Sequence, residues 1–562
     1  MAARSRGPLY IAIALLAVAA LIIGVLALRS AIPDEPVADP ERTAARTADP
    51  PPPDWETLYL PGYVPSPGPF ELAALPEDAP EPITVHLALE EGAVSTEGAV
   101  GLSFDARELA NPMWESGQSN LALTLGQLDR PVMRFGGNGV DRHMWWTSAG
   151  ESSPPWAQVT VTPEDLARVA AVADEIDAQV TIALDLGHDD PQRAADMAAH
   201  AQAAFGDRLI AVAIGNEPNG YFHPNQLQLA VRDEGWGPDA YQDSLREYGD
   251  AIAQAAPGLP IAGPGAYDAP WWRAFAESGL PAKAALTMHW YPLWDCDGPV
   301  ESIANPTVED LTSPAIRERA HHIIGMGADV TQEHDLPLWM EETGPTSCPG
   351  TNDTSRTHAQ ALWTVDYSLT AMQLGVERSA FHSTLQACQG GAPMSPVCAR
   401  GPMDDPGEIV SGRTSFLALM QLGWLPDGEL LRSSASGDGT VMAHGVLGED
   451  NTLAVVLVDM RDPASSGSEP VPVEISAPVT DDIVAPAGWA LEEGSRLSGE
   501  SLSAQQSSLT ALAPLSHEAD IAPLRRGEPL VLPSEAGTTT LLVFEAVAEP
   551  QPAADPSDGG GA

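Results

Sequence analysis

Short apolar runs alternate with longer helical patterns between about residue 99 and residue 425. There are eight such runs, and each is followed by a helix or by a connection of helical length. The runs read VGLSFDA, PVMRFGGN, QVTIALDLG, LIAVAIGNEP, LPIAGPG, ALTMHWYP, LPLWMEET and VERSAFHST. Nearly continuous apolar strands joined by helical crossovers are typical of a parallel sheet. Eight of them predict an α/β fold, a closed (β/α)8 or TIM barrel, over residues 99–427.

An open doubly wound sheet is the structural alternative to the barrel. That fold usually carries a glycine-rich GxGxxG loop early in the chain, and no such motif is evident in this sequence. The helix after the second run should begin at Thr162, a capping residue that is followed by Pro163 in the first turn.

Beyond about residue 428 the helical patterns stop. Runs such as TVMAHGVLG, TLAVVLVDM, VPVEISAP and GTTTLLVFEAV are separated by Gly, Asp, Pro and Ser. This spacing predicts an all-β sandwich over residues 428–548. The segment 81–98 contains a further strand pattern, EPITVHLALEEGAV, which we expect to pair with the sandwich.

The N-terminus carries an apolar run of membrane-spanning length. Arg4 and Arg6 precede the run from Leu9 to Leu28, which predicts a signal anchor or transmembrane helix over residues 1–31. Cleavage of this segment as a signal peptide is the alternative. Residues 32–80 and the tail 549–562 are rich in Pro, Asp, Glu and Ala, so we expect a disordered linker and a disordered tail. Either reading places the protein outside the cytoplasm, membrane-anchored or secreted.

The charge of the chain is strongly negative. It has 78 acidic and 27 basic residues, a net charge of −51. Such a chain repels nucleic acids and other polyanions at long range, so we expect no nucleic acid partner.

The four cysteines suggest disulfides, because an even number in an exported chain is typical of an oxidising compartment. Three pairings of Cys296, Cys348, Cys388 and Cys398 are possible. Cys388 and Cys398 are close enough in sequence to close one loop. Cys296 would then pair with Cys348, which requires that their two loops be neighbours.

Two of the predicted barrel strands end in glutamate. The fourth ends in Asn216-Glu217, and the seventh ends in Glu341-Glu342. Residues at the C-terminal ends of barrel strands face the active site. Two carboxylates in such positions fit glycoside hydrolysis, in which one protonates the leaving oxygen and the other attacks the sugar or activates water. Because side chains alternate along a strand, we expect only one of Glu341 and Glu342 to point inward, and the local pattern does not decide which.

The motifs RFGGN, IGNEPN, MHWYP and WMEETG, in this order, resemble those of glycoside hydrolase family 79. That family includes heparanase and bacterial β-glucuronidases, which are retaining glycosidases. The resemblance covers roughly residues 99–425. It implies that Glu342, which precedes Thr343, is the nucleophile and that Glu217 is the acid/base.

The resemblance also implies a set of substrate-binding residues. Asn216 should hydrogen-bond the sugar 2-hydroxyl, and Tyr291 should lie beside the nucleophile. Asp105 and Asn138 match positions that line the sugar site, although Asp105 could simply cap a helix and Asn138 could serve a turn. His289 and His382 lie at strand ends and could line the pocket or be structural. The resemblance makes a Cys296–Cys348 bridge reasonable, since the loops after strands six and seven are neighbours at the barrel mouth.

The sequence departs from the family in one loop. In the glucuronidases a glycine-rich loop after the nucleophile offers backbone N–H groups to the sugar carboxylate, whereas here it reads ETGPTSCPGTNDTS. Pro349 has no N–H to give.

The predicted activity is β-glycoside hydrolysis by double displacement, β-glucuronidase-like, on a glycoside or oligosaccharide and without a metal or cofactor. A retaining barrel glycosidase for a neutral sugar, such as an arabinofuranosidase or xylosidase, and a non-catalytic surface glycan-binding protein are the alternatives.

Overall fold

The computed structural model describes residues 57–547, apart from positions 91, 299–301, 303, 349–353, 466, 480–485 and 518–520. The predicted anchor over residues 1–31 and the predicted tail over residues 549–562 lie outside this part of the chain. Within it, no helix is both long and apolar enough to cross a membrane.

Two short strands precede the barrel, β1 (Tyr63–Val64) and β2 (Ile83–Ala88). The prediction of a disordered linker over 32–80 is wrong for its second half, residues 57–80. Leu60 and Phe70 are buried there, and the Phe70 N–H donates to the carbonyl of Pro514 at 2.8 Å. Isolated apolar side chains in a proline-rich stretch are enough to hold it on the folded surface, because each removes apolar area from water.

Eight parallel strands close into a barrel, which confirms the predicted fold class. The strands of the barrel region are β3 (Val100–Asp105), β4 (Val132–Gly136), the small pair β5 (Met144–Trp146) and β6 (Val159–Val161), β7 (Gln179–Leu184), β8 (Leu209–Ile214), β9 (Ile261–Ala266), β10 (Lys283–Trp290), β11 (Leu338–Thr343) and β12 (Val376–Ser383). All but β5 and β6 belong to the barrel, and β12 pairs with β3 to close it.

Helices cover the outside of the barrel between its strands. They are α1 (Leu121–Leu125), α2 (Pro163–Glu175), α3 (Pro191–Phe205), α4 (Pro238–Ala255), α5 (Ala269–Ala276), α6 (Val308–Leu311), α7 (Pro314–His334), α8 (His358–Gln373) and α9 (Thr414–Leu422). Helix α2 begins as predicted, because the Asp165 carboxylate accepts a hydrogen bond from the Thr162 N–H at 2.8 Å and Pro163 occupies the first turn.

The C-terminal region is rich in β-strands. It follows a small pair, β13 (Val397–Ala399) and β14 (Val410–Gly412), and consists of β15 (Gly428–Ala435), β16 (Val441–Gly448), β17 (Leu453–Asp459), β18 (Val471–Ile475), β19 (Gly488–Ser498), β20 (Ser508–Thr510), β21 (Ala513–Pro514), β22 (Leu530–Ser534) and β23 (Thr538–Val547). All of the strands β15 to β23 except β20 contribute to one apolar core with β2, which pairs antiparallel with β15 and parallel with β18. Strand β1 is the edge strand at the end of the sheet opposite β22, and it pairs in parallel with β20.

A buried ionic cluster joins the barrel to the β-rich region. Asp366 of α8 accepts hydrogen bonds from Arg317 of α7 at 2.8 Å, and its second oxygen lies 3.2 Å from His444 Nε2 of β16. Burial opposes ionisation of Asp366, but Arg317 and His444 outweigh it and lower the pKa of this carboxyl to about 2. The helix that follows the seventh barrel strand is thus tied to the sheet behind it.

Candidate active site

Glu217 lies at the C-terminal end of β8 in a strained conformation. Its φ of 47° and ψ of 58° place it in the left-handed region, and it precedes Pro218. A non-glycine residue pays about 1–2 kcal/mol for this conformation, so the surroundings must hold it in place. The Glu217 N–H donates to the Gly265 carbonyl at 3.1 Å, and the Glu217 Oε1 lies 3.1 Å from His289 Nδ1. Both contacts come from neighbouring strands, β9 and β10.

The end of β11 carries two inward-pointing glutamates, and the prediction that only one could point inward is wrong. The register with β10 advances from Met288 opposite Met340 to His289 opposite Glu342, so β11 uses two residues where β10 uses one. Such a bulge brings successive side chains to the same side of a strand. Both Glu341 and Glu342 are buried, and both approach Arg134.

Glu342 is surrounded by hydrogen-bond donors. Its Oε2 accepts from Arg134 Nη1 at 2.8 Å, and its Oε1 accepts from the Tyr291 hydroxyl at 2.8 Å and lies 3.5 Å from His382 Nδ1. Burial opposes ionisation, but His289, His382 and Arg134 outweigh it and hold the pKa of the Glu342 carboxyl well below its usual range. Burial in turn opposes protonation of His382, and the Glu342 carboxylate reverses this and raises the pKa of the imidazole.

Arg134 connects Glu342 to Asn216. Its Nη1 also donates to Ser103 Oγ at 2.9 Å, and its Nη2 donates to Asn216 Oδ1 at 2.7 Å. The guanidinium fills the space in front of Gly136, where a Cβ atom would overlap it. The first glycine of the RFGGN motif is therefore explained by the arginine two residues before it.

The amide of Asn216 has a defined orientation. Its Oδ1 accepts from Arg134 and from the Gly137 N–H at 2.9 Å, so its Nδ2 group must point the other way. Asn216 is buried, and its Nδ2 has no hydrogen-bond partner among the described residues. A buried amide N–H2 without a protein partner can bind a substrate hydroxyl.

Asp141 is a residue of this site that the sequence analysis did not identify. Its carboxylate accepts backbone N–H bonds from Leu186 and Gly187 at 2.8 and 2.9 Å and from Asn216 at 2.9 Å. It thereby ties the loops that follow β4, β7 and β8. Burial and then the nearby Asp185 carboxylate raise the pKa of Asp141 to about 7. The one signal in the sequence that could have identified Asp141 as a site residue is its position in the loop directly after RFGGN.

Two of the predicted binding residues, Asp105 and Asn138, lie at or just after the ends of β3 and β4. Asp105 accepts from the Arg107 backbone N–H at 3.0 Å, pairs with the Arg107 side chain at 2.8 Å and accepts from the Gly139 N–H at 3.2 Å. It therefore caps the turn after β3, as the alternative interpretation proposed. Asn138 is exposed in the turn after β4.

Both disulfides have the predicted pairing, Cys296–Cys348 and Cys388–Cys398. The first joins the loops after β10 and β11, which also meet through a backbone bond from the Ser347 N–H to the Leu293 carbonyl at 3.1 Å. Two disulfides are typical of a protein that folds in an oxidising compartment. Trp294, two residues before Cys296 in the loop after β10, is 61% exposed.

Oxygen or nitrogen atoms of Glu217, His289 and Glu342 lie within 4.8 Å of one another. That spacing would suit a metal ion. However, the Glu342 carboxylate is already bonded by Arg134 and Tyr291, and a cation would compete with the guanidinium for it. The arrangement is better suited to acid–base and nucleophilic chemistry between the two carboxylates.

No family model matches the sequence, and no curated protein matches it. Solved structures of the same fold are found at low identity. A 4-O-α-L-rhamnosyl-β-D-glucuronidase from Fusarium oxysporum shares 15% identity over 82% of this chain and 99% of its own, with a TM-score of 0.61. An α-L-arabinofuranosidase from Thermotoga maritima shares 12% identity over 83% and 100%, with a TM-score of 0.58. A GH51 arabinofuranosidase from Xanthomonas axonopodis pv. citri shares 14% over 83% and 100%, with a TM-score of 0.56. These likenesses establish the TIM-barrel fold, and membership of glycoside hydrolase family 79 stays a prediction.

Proposed function

We propose that this protein is a retaining glycoside hydrolase with Glu342 as nucleophile and Glu217 as acid/base. The observation that carries the proposal is the meeting of the two carboxylates at the mouth of the barrel, with atoms of both and of His289 within 4.8 Å. Retaining glycosidases keep their carboxyl groups ~5–5.5 Å apart, whereas inverting enzymes leave ~6.5–9.5 Å for a water. One oxygen of each carboxyl therefore lies within 4.8 Å of the other, which is compatible with a covalent mechanism.

Double displacement assigns each carboxyl a step. Glu342, held ionised, attacks the anomeric carbon while the bond from that carbon to the leaving oxygen breaks and Glu217 gives that oxygen a proton. Glu217, now ionised, then takes a proton from a water that attacks the anomeric carbon and releases Glu342. His289 Nδ1 beside Glu217 can hold the carboxyl in position through both steps.

Asn216 and Tyr291 support the nucleophile side of the reaction. The Nδ2 of Asn216, which has no partner in the described part of the chain, is available for a sugar hydroxyl. A bond to the 2-hydroxyl would strengthen as charge develops on the sugar. Tyr291, bonded to Glu342, would keep the carboxylate oriented.

The resemblance to family 79 favours a β-glucuronide as substrate, and the glucuronidase of the same fold is consistent with it. A neutral sugar is the second candidate, and the loop after β11 favours it. The Ser347 N–H donates to Leu293, the Cys348 N–H donates to Thr346 Oγ1 at 3.0 Å, and Pro345 has no N–H. These backbone groups are thus not available to a sugar carboxylate.

The experiment that tests the proposal uses the full chain with four nitrophenyl glycosides, the β-glucuronide, β-glucoside, β-xyloside and α-arabinofuranoside. Turnover that disappears in Glu342→Gln and persists in Glu377→Gln would support it. Glu377 is a matched control because it lies at the N-terminal end of β12, where it accepts a bond from Trp339 Nε1 at 3.2 Å. Turnover of a neutral sugar alone would reject the glucuronidase assignment. No turnover of these glycosides or of a polysaccharide would contradict the proposal and favour a binding protein.

The stereochemistry gives a second test. Proton NMR of the first product should show the anomer of the substrate, because two displacements at one carbon retain its configuration. The opposite anomer would contradict the nucleophilic role of Glu342.

The export of the protein and its attachment by residues 1–31 remain predictions from the sequence, and fractionation of expressing cells would test them.

A further inference from the structure

Glu341 is a buried carboxylate that the proposed mechanism does not use. Its side chain is 5% exposed, and neither of its oxygens has a hydrogen-bond partner among the described residues. It lines a cavity of about 20 Å³ inside the barrel, below the two reacting carboxylates, together with Thr181, Gln179 and Arg378. That volume is about the room needed by one water molecule. A buried charge is costly unless it is paired, so Glu341 is expected to have a positively charged partner.

The nearest cation to Glu341 is Arg134, the same residue that binds the proposed nucleophile. Arg134 Nε lies 3.5 Å from Glu341 Oε2, whereas Arg134 Nη1 lies 2.8 Å from Glu342 Oε2. The remaining Nη2 donates to Asn216. Glu341 therefore faces the Nε edge of the guanidinium, whereas Glu342 and Asn216 face its two Nη atoms.

This division has two physical consequences. The Nη atoms of the guanidinium are fixed by hydrogen bonds to Ser103, Glu342 and Asn216, whereas the Nε edge faces Glu341 in an ion pair of 3.5 Å, so Glu341 attracts this edge through its charge. The negative charge of Glu341 also offsets part of the positive charge of Arg134. Glu342 is then less strongly stabilised as an anion than it would be beside an unshared arginine, and a less stabilised anion is the better nucleophile.

We propose that Glu341 is a positioning residue, which acts on the nucleophile Glu342 through the shared guanidinium of Arg134. The bulge in β11 is the structural basis, since it places two successive carboxylates on one arginine. The proposal rests on the proposed glycosidase function for its catalytic meaning, but the coupling between the two carboxyls can be measured without turnover.

Several other groups that are charged or can titrate surround this pair. Those facing Glu342 are Arg134 on β4, Glu217 after β8, His289 and Tyr291 on and after β10, and His382 on β12. Those near Glu341 are Arg134 and Arg378, and Glu377 acts on Arg378 in turn. All of them remain in a Glu341→Gln variant. The change therefore removes one negative charge from the site and keeps its shape.

The test compares the pH dependence of kcat/KM in Glu341→Gln with that of the wild type. Loss of a like charge beside Glu342 lowers the pKa of the nucleophile, so the acid limb should move down by roughly 1 pH unit. The value of kcat should fall while KM changes little. Glu341→Asp, which keeps the charge, should restore the limb toward that of the wild type, and Glu377→Gln should leave it unchanged.

A purely structural role makes a different prediction. In that case Glu341→Gln would change the thermal midpoint but leave the acid limb where it is, and that result would overturn the proposal. Should the wild type hydrolyse no glycoside, the glycosidase function fails but this inference is still tested. Carbon-13 NMR of labelled glutamate carboxyls, with the Glu342 signal assigned by its absence in Glu342→Gln, measures the same downward shift directly. An unchanged Glu342 titration would refute the coupling.

Discussion

Removing the hydroxyl of Tyr291 should make the proposed nucleophile less acidic. The hydroxyl donates to Glu342 Oε1 at 2.8 Å, and hydrogen bonds to charged groups contribute about 1.5–3 kcal/mol. Since one pKa unit corresponds to about 1.36 kcal/mol, Tyr291→Phe should raise the pKa of Glu342 by roughly 1–2 units. The sign follows from the ionised form being the one that accepts the bond, so its loss favours protonation.

The tyrosine does not itself titrate in the relevant range. Burial and then the Glu342 carboxylate raise the pKa of Tyr291 well above its ordinary value, so it remains a donor wherever activity is measured. The acid limb of kcat/KM reports the free enzyme. In Tyr291→Phe that limb should therefore lie roughly 1–2 pH units higher than in the wild type, measured with whichever nitrophenyl glycoside is turned over.

Tyr241→Phe is the matched control for this substitution. Tyr241 is fully buried on α4, and its hydroxyl has no hydrogen-bond partner among the described residues, so the change removes the same atom outside the site. Its profile should coincide with that of the wild type. A limb in Tyr291→Phe that stays in place, or that moves to lower pH, would refute the assignment of Glu342 as the ionised nucleophile.

Two further predictions concern stability. Glu217→Gly should abolish turnover yet raise the free energy of unfolding by about 1 kcal/mol, because glycine adopts the left-handed conformation of this position without strain; a lower thermal midpoint would contradict this. Asp366→Asn should cost about 3–5 kcal/mol at pH 7, since it leaves Arg317, whose side chain is 13% exposed, without its charge partner. As the folded-state pKa of Asp366 is lowered to about 2, its contribution is complete above its ordinary pKa near 4 and is lost as the pH falls through 2. Urea titrations at pH 7 and pH 3 should show the difference between wild type and variant shrinking, and a difference independent of pH would contradict the electrostatic origin.

The barrel and the strand-end positions of Glu217 and of the Glu341-Glu342 pair could be predicted from the sequence because they depend on local patterns, whereas the choice of Glu342 as nucleophile came from the family resemblance and stays a prediction. Each of the eight strands is an apolar run whose period and length are visible in a few residues, and a strand end is visible where the run stops at Asn216-Glu217. The ordered segment 57–80 was missed because it has no such pattern. Its average composition is polar and proline-rich, and this average hides single buried side chains such as Phe70.

The contacts that the sequence could not give are those between distant positions. Arg134 and Glu342 are 208 residues apart, and Asp141 is separated from Asn216 by 75. No periodicity relates such pairs, so the number and direction of their hydrogen bonds follow only from the closed barrel. The bulge at Glu341 is a further case. Alternation holds for a regular strand, and it fails where one extra residue is inserted against the neighbour.

The state of Glu342 is set by groups that oppose one another. Arg134 and Tyr291 bond its anion, burial acts against that stabilisation, and in our proposal Glu341 acts against it too. A nucleophile needs both, because it must be ionised before the substrate arrives and must still gain by giving up its charge to the sugar. These opposing groups come from β4, from β11 and from the loop after its neighbour β10. The balance therefore depends on the closed barrel as a whole, and if the proposal holds, a change of one charge at Glu341 alters the state of Glu342 without touching the substrate.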